Sequence, residues 1–210
     1  MSIYKGSAST LLHSTGASNS MILKAIEFAV QAHAGQYRKI TRIPYIFHPL
    51  QVADILMECR CNEEVITAGI LHDTVEDTPV SLEEIRENFG NDVAALVEAA
   101  SEPDKAVSWE ERKHHTLSAL KTAPMDVLLL SCADKLDNIR SIQKDSARLG
   151  ELIWSQFNRG KEKQAWYYHN LASIFREKAD GEPGNSLFES FSGDVHLVFP
   201  AREYAARQFV

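Results

Sequence analysis

Apolar residues recur at helical spacing through most of this chain, and alternation with a period of two is almost absent. Ile22, Ala25, Ile26, Ala29 and Val30 predict a helix from Ser20 to Ala34 that stops at Gly35. Pro49 suits the first turn of a second helix running to about Arg60 and leaves His48 at its mouth. Asn62, a good cap, opens a third helix that delivers Leu71-His72-Asp73. Ser81-Leu82-Glu83-Glu84 and Ser108-Trp109-Glu110-Glu111 read as capping boxes, each announcing a helix. The first of these ends at Gly90, and helix resumes from Asp92 to Ala100. Pro124 breaks the chain before a helix from Met125 to Gln143, and the last expected helix spans Lys161 to Lys178 with Ala165, Tyr168, Leu171, Ala172 and Phe175 on one stripe. The class predicted is all-α.

The two ends read differently. Residues 1–19 are rich in Ser, Thr, Gly and Ala and are expected to form a flexible N-terminal segment before a domain over 20–179. Asp180 to Ser186 reads as a turn or linker, and Val195-His196-Leu197-Val198-Phe199 as strand-like, so residues 180–210 are expected to be an irregular or extended C-terminal extension. An exposed apolar tail is a hazard. It is therefore expected to lie on its own domain or on a second subunit, which leaves a homo-oligomer through the extension open.

Composition narrows the partners. At 210 residues the chain suits one well-buried domain, and 44% apolar with 24% charged residues is ordinary for a globular protein. A net charge of −7 disfavours a broad nucleic-acid or anionic-membrane surface. No run reaches transmembrane length, and the first twenty residues lack the apolar core of a secretory leader. Cys59, Cys61 and Cys132 form no zinc-like spacing, so a reduced, cytoplasmic setting is expected. There is no internal repeat, P-loop or GxGxxG signal.

The chemistry concentrates in Leu71-His72-Asp73-Thr74-Val75-Glu76-Asp77, one imidazole and three carboxylates behind an apolar run. On a helix, or a helix end of similar pitch, His72 and Glu76, or Asp73 and Asp77, share a face. Like charges so spaced repel unless a cation or a task compensates them. The ordinary reading, an acidic solvated helix end, is weakened by further ligand types elsewhere: Pro44-Tyr45-Ile46-Phe47-His48-Pro49, and Ala133-Asp134-Lys135-Leu136-Asp137-Asn138, where Asp134 and Asn138 lie four apart. Arg38 and Lys39 project from a loop after the first helix.

Taken in order, the basic pair Arg38-Lys39, His48, His72-Asp73-x-x-Glu76-Asp77 and Asp134-x-x-x-Asn138 resemble the HD-domain metal-dependent phosphohydrolases. Within them the chain looks most like the Rel/Spo-type small alarmone hydrolases, over about residues 20 to 178, with Ala25-Ile26-Glu27-Phe28-Ala29, His33 and Trp166-Tyr167-Tyr168 adding to the match. The resemblance implies a single HD-domain helical bundle that removes the 3′-pyrophosphate of guanosine 3′,5′-bis(diphosphate) or its pentaphosphate relative. It makes His48, His72, Asp73 and Asp134 the ligands of one divalent ion, expected to be Mn2+ although other divalent transition metals suit a mixed N,O shell. It makes Glu76 and Asp77 the residues that position and deprotonate the attacking water, and Arg38, Lys39, Asn138 and Tyr167 the substrate contacts. Asn138 would hydrogen-bond the substrate, and Tyr167 would wall the pocket.

The negative net charge requires local cations for such a polyanion: the metal, Arg38, Lys39, and Lys105 or Lys135. An HD phosphohydrolase acting on another nucleotide, such as an NADPH 2′-phosphatase or an adenosine alarmone hydrolase, stays open, as does a silent nucleotide-sensing module. The length leaves no room for the synthetase and regulatory domains of the long Rel/Spo enzymes, so hydrolysis alone is expected. Two departures stand out: Pro103 within Ser101 to Lys105, and residues 186–210, which have no counterpart in the resemblance.

Overall fold

The structure is a computed structural model that describes residues 20–102, 106–181 and 183–200. The expected flexible segment 1–19 and the candidate cation Lys105 lie outside the described residues. Among those residues the secondary structure is helical, broken only by an isolated antiparallel bridge between Tyr37 and Pro44.

The order is α1 (Met21–Ala32), α2 (Phe47–Glu58), α3 (Glu63–Leu71), the single turn α4 (Thr74–Asp77), α5 (Leu82–Phe89), α6 (Asn91–Ala100), α7 (Trp109–Leu120) and α8 (Met125–Leu149). A 3₁₀ segment (Gly150–Gln156), α9 (Lys161–Glu177) and α10 (Gly184–Val198) follow.

Local chemistry sets the boundaries. Asn62 caps α3 by accepting from the Val65 amide at 2.8 Å, and Glu63 and Glu64 in the first turn complement the positive helix end. Both expected capping boxes are complete: Ser81 with Glu84, and Ser108 with Glu111. Gly90, at φ +90°, ends α5 and starts α6 in a conformation that a side chain would oppose. The predicted Met125 helix continues two turns past Gln143, to Gly150 at φ +57°.

α8 is the spine, packed by α2, α3, α6 and α10. Its Leu128, Leu130, Leu136 and Ile139 are fully or almost fully buried. α2 and α3 approach closely at Gly69, where an added Cβ would sit 2.6 Å from Leu56 Cδ1 and 3.4 Å from Val52 Cγ1. That crossing brings the start of α2 and the end of α3 together, which is where His48 and His72 lie.

One expectation is corrected. The segment read as extended is the helix α10, with Leu187, Phe188, Phe191 and Val195 buried and Phe199 buried just beyond its end. The apolar residues at 187, 188, 191 and 195 recur at helical spacing, and their burial against α8 and α9 outweighs the β-branched preference of Val195 and Val198. Phe188 stacks on Phe175 of α9 at 5.2 Å between centroids, and Arg140 of α8 donates to Asp194 at 2.9 Å. Up to residue 200, the apolar face of the tail formed by Leu187, Phe188, Phe191, Val195 and Phe199 is thus covered by its own domain. A role for it in homo-oligomers gains no support from an exposed apolar face.

Candidate metal centre

His48, in the first turn of α2, and His72, just past α3, bring their rings to 5.2 Å between centroids. Each ring is fixed through Nδ1: His48 donates to Asp137 Oδ2 at 2.6 Å, and His72 donates to the Gly69 carbonyl at 2.9 Å. Holding Nδ1 in this way aims both Nε2 atoms at the same place. Two carboxylates meet them there. Asp73 Oδ2 lies 3.0 Å from His72 Nε2 and 3.5 Å from His48 Nε2, and Asp134 Oδ1 lies 3.2 Å from His48 Nε2 and 3.8 Å from His72 Nε2.

Donor atoms of His48, His72 and Asp134 all fall within 4.8 Å of one another. Donors about 2.1 Å from a common ion and at right angles would be about 3 Å apart, so these separations fit the edges of one coordination shell. Two further observations fit a cation: His72 Nε2 is buried without a hydrogen bond, and the donor set of two imidazoles and two carboxylates suits a divalent transition metal.

The electrostatics agree. Burial works against a charged imidazole, yet Asp73 lifts His72 to about 9, and hydrogen bonds to Asp134 and Asp137 raise His48 against the same penalty. Burial would raise Asp73, but His72 and His48 hold it well below the usual carboxylate range. Asp134 is also held down, by Lys135 and both histidines. Lys135, expected as a free cation for the substrate, instead donates to Asp134 Oδ2 at 2.6 Å. Tyr45 donates to Asp73 Oδ2 at 2.6 Å, and burial followed by the charge of Asp73 pushes the Tyr45 phenol far up, so it stays a donor.

Glu76 and Asp77 sit on α4, one turn beyond Asp73, and the Asp77 amide returns to the Asp73 carbonyl at 2.9 Å. The helical pitch anticipated from Asp73 to Asp77 is thus present, after a break at His72 and Asp73 between α3 and α4. Glu76 Oε2 accepts from the Glu102 amide at 3.2 Å. Burial raises the Glu76 carboxyl, and the charges of Glu102, Asp73 and Asp77 add to it. Glu102 is itself held by Arg112 Nε at 2.9 Å and by Lys113.

A cavity of about 650 Å³ opens beside the cluster, lined in part by Arg38, Lys39, Tyr45, His48, Asp137, Asn138 and Tyr168. Arg38 Nη1 donates to Asn138 Oδ1 at 3.2 Å, and Nη2 to Asp137 Oδ2 at 3.1 Å and Ser141 Oγ at 3.0 Å. These bonds lie in the guanidinium plane and occupy its Nη edge. Asn138 Nδ2 donates to Asp134 Oδ1 at 2.6 Å, and Lys39 Nζ donates to the Gln156 carbonyl.

Glu76 and Asp77 are not on the wall of this cavity, and neither is Tyr167. Tyr167 is buried and packs under Lys113 Nζ at 4.8 Å, a core position that follows from the apolar stripe of α9. Its neighbour Tyr168 does line the cavity wall, together with Tyr45, Phe47, Trp109 and Phe157. Sequence reasoning assigned no role to Tyr45, Asp137 or Glu102. Their partners stand 28, 89 and 26 residues away, and no local pattern announces them.

Residues 25–162 match the family model of the HD domain. The chain belongs to the HD-domain family. Within it the chain is 39% identical over 128 residues to the guanosine-3′,5′-bis(diphosphate) 3′-pyrophosphohydrolase MESH1 of Xenopus tropicalis, covering 60% of this chain and 71% of that protein. It is 42% identical over 123 residues to a protein of that same enzyme name from Aquifex aeolicus. The chain spans less than a fifth of the length of that relative and of several others. Among solved structures, one from Listeria monocytogenes EGD-e superposes with a TM-score of 0.67 at 38% identity, covering 77% of this chain and 99% of that one. A metazoan SpoT ortholog described as hydrolysing ppGpp superposes with the same score at 25% identity, covering 90% and 98%. Among the described residues, no helix is long and apolar enough to cross a membrane.

Proposed function

We propose that this chain is a metal-dependent hydrolase that removes the 3′-pyrophosphate of guanosine 3′,5′-bis(diphosphate), giving GDP and pyrophosphate, or GTP from the pentaphosphate. One observation carries the reading: the ligand His48 lines the nucleotide-sized cavity, and Asp137 and Asn138, which line it too, hydrogen-bond the ligands His48 and Asp134. A phosphorylated nucleoside seated in that cavity lies against His48 and beside the other ligands.

His48, His72, Asp73 and Asp134 hold the ion, taken here as Mn2+. When bound, it supplies charge neutralisation on phosphoryl oxygens and a more acidic water. Glu76 and Asp77 take the proton from the attacking water. Burial, then neighbouring carboxylates, raise the proton affinity of Glu76, which makes it a better base than a free glutamate. Arg38, with its Nη edge tied down, offers a guanidinium face to a base, and Lys39 offers a point charge to phosphate. Asn138 keeps one amide hydrogen and one lone pair for the ligand. The three cysteines are free, in keeping with a cytoplasmic setting.

The test is to load the purified chain with Mn2+, offer a panel of nucleotides and identify the product. Pyrophosphate from the guanosine tetraphosphate supports the reading. Orthophosphate from NADPH, or turnover confined to an adenosine alarmone, would replace the substrate while keeping the metal chemistry, and silence across the panel would reject hydrolysis.

A further inference from the structure

Five side chains close a ring between the metal ligands and the nucleotide cavity. Asp134 Oδ1 accepts from Asn138, Asn138 Oδ1 accepts from Arg38, and Arg38 donates to Asp137 Oδ2. That same Asp137 oxygen accepts from His48 Nδ1, and His48 Nε2 returns to Asp134 Oδ1 at 3.2 Å. Asp137 is the only member that touches both a ligand imidazole and the arginine of the cavity wall. It bonds His48 Nδ1, on the opposite side of the ring from the Nε2 atom that faces Asp73 and Asp134, so it would act on a bound ion through His48 and not as a ligand.

We propose that Asp137 is a positioning residue that makes metal affinity and nucleotide affinity interdependent in this enzyme. Its single oxygen has two obligations. It fixes the tautomer and the aim of His48, and it holds Arg38 with its Nη edge turned into the protein. The pair is mostly hidden from solvent, with side chains 13% and 19% exposed for Asp137 and Arg38, so bulk water replaces neither contact well. An ion drawing density from His48 Nε2 makes its Nδ1 proton a stronger donor to Asp137, which sharpens the placement of the oxygen that Arg38 uses. By reciprocity, a nucleotide that fixes Arg38 also fixes the support of His48. Ser141 Oγ and Asn138 Oδ1 give Arg38 other anchors, so losing Asp137 loosens the arginine without freeing it.

The inference rests on the metal-centre reading, and its test separates the two. Mn2+ binding is measured by titration calorimetry on wild type, Asp137→Ala, Asp137→Asn and Arg38→Ala, with KM and kcat measured on the same preparations. In Asp137→Ala we expect Mn2+ affinity to fall by about 10- to 100-fold, the usual consequence of removing the partner of a ligating histidine, and KM to rise even at saturating metal. Asp137→Asn keeps an acceptor for His48 and recovers part of the metal affinity. Arg38→Ala raises KM and, because Asp137 loses its second partner, also lowers Mn2+ affinity, by a smaller factor than Asp137→Ala. Unchanged Mn2+ binding in both Asp137 variants overturns the proposal, as does Asn behaving no better than Ala. If Asp137→Ala fails to fold, Asp137→Asn alone decides by its metal affinity and KM. Failure of the wild type to bind Mn2+ would instead remove the metal-centre reading itself.

Discussion

The side-chain amide of Gln36 donates to the main-chain carbonyl of Asp77 at 2.7 Å, tying the loop after α1 to the turn that carries both proposed catalytic carboxylates. Gln36 is itself held by His33, whose Nδ1 donates to Gln36 Oε1 at 2.8 Å. A single hydrogen bond is worth about 0.5–1.5 kcal/mol, so Gln36→Ala should lower kcat by up to about tenfold. KM and metal stoichiometry should hold. Steady-state kinetics with metal analysis check this, and a lost metal would show that the loop supports the ligands instead.

Glu76→Ala and Asp77→Ala should keep near-stoichiometric metal and lose about 10²- to 10⁴-fold in turnover, the range of a removed general base. Metal content by elemental analysis separates this from a ligand role. Depletion of metal in both would make them part of the coordination shell or its scaffold.

Chelation followed by dialysis should abolish turnover, and Mn2+ should restore it and raise the unfolding midpoint, because a ligand of the native state alone stabilises it by mass action. His72→Ala should lose the Mn2+-dependent rise. Differential scanning fluorimetry reads both.

The α9 to α10 contact should weaken in acid. His169 packs on His196 at 5.9 Å between ring centroids, and burial, then His196, lowers its pKa. A depressed folded pKa means that the native state binds fewer protons than the unfolded one. Its contribution is therefore complete above the ordinary histidine pKa of about 6.5 and is lost as pH falls through the lower folded value. Melting curves from pH 7.5 to pH 5 should show a decline that His169→Gln reduces. A parallel decline in the variant would assign the effect to other groups.

Phe191→Ala should cost about 3–5 kcal/mol, as expected for emptying a fully buried aromatic site. Chemical denaturation measures it. A loss near zero would mean that α10 is dispensable to the domain.

Much of this was legible in the chain itself. Caps at Asn62, Ser81 and Ser108 and the stop at Gly90 rest on local bonds, so residues within four positions announce them. The four ligand candidates His48, His72, Asp73 and Asp134 come from the family resemblance of three ordered motifs, since no local spacing links those stretches. α10 was misread because the polar turn before it and the run Val195 to Phe199 look extended, whereas Leu187, Phe188, Phe191 and Val195 carried the helical signal. Asp137 could not be assigned a partner from sequence, since His48 lies 89 residues earlier and only tertiary packing introduces them.

Asp134, Lys135, Asp137, Asn138 and Ser141 all project from two consecutive turns of one 25-residue helix. A stiff rod cannot re-aim one of these groups without swinging the others. The opposite bank carries Lys39, Ile43 and Phe157 on irregular backbone, so adaptation to a bulkier or differently shaped nucleotide is expected there.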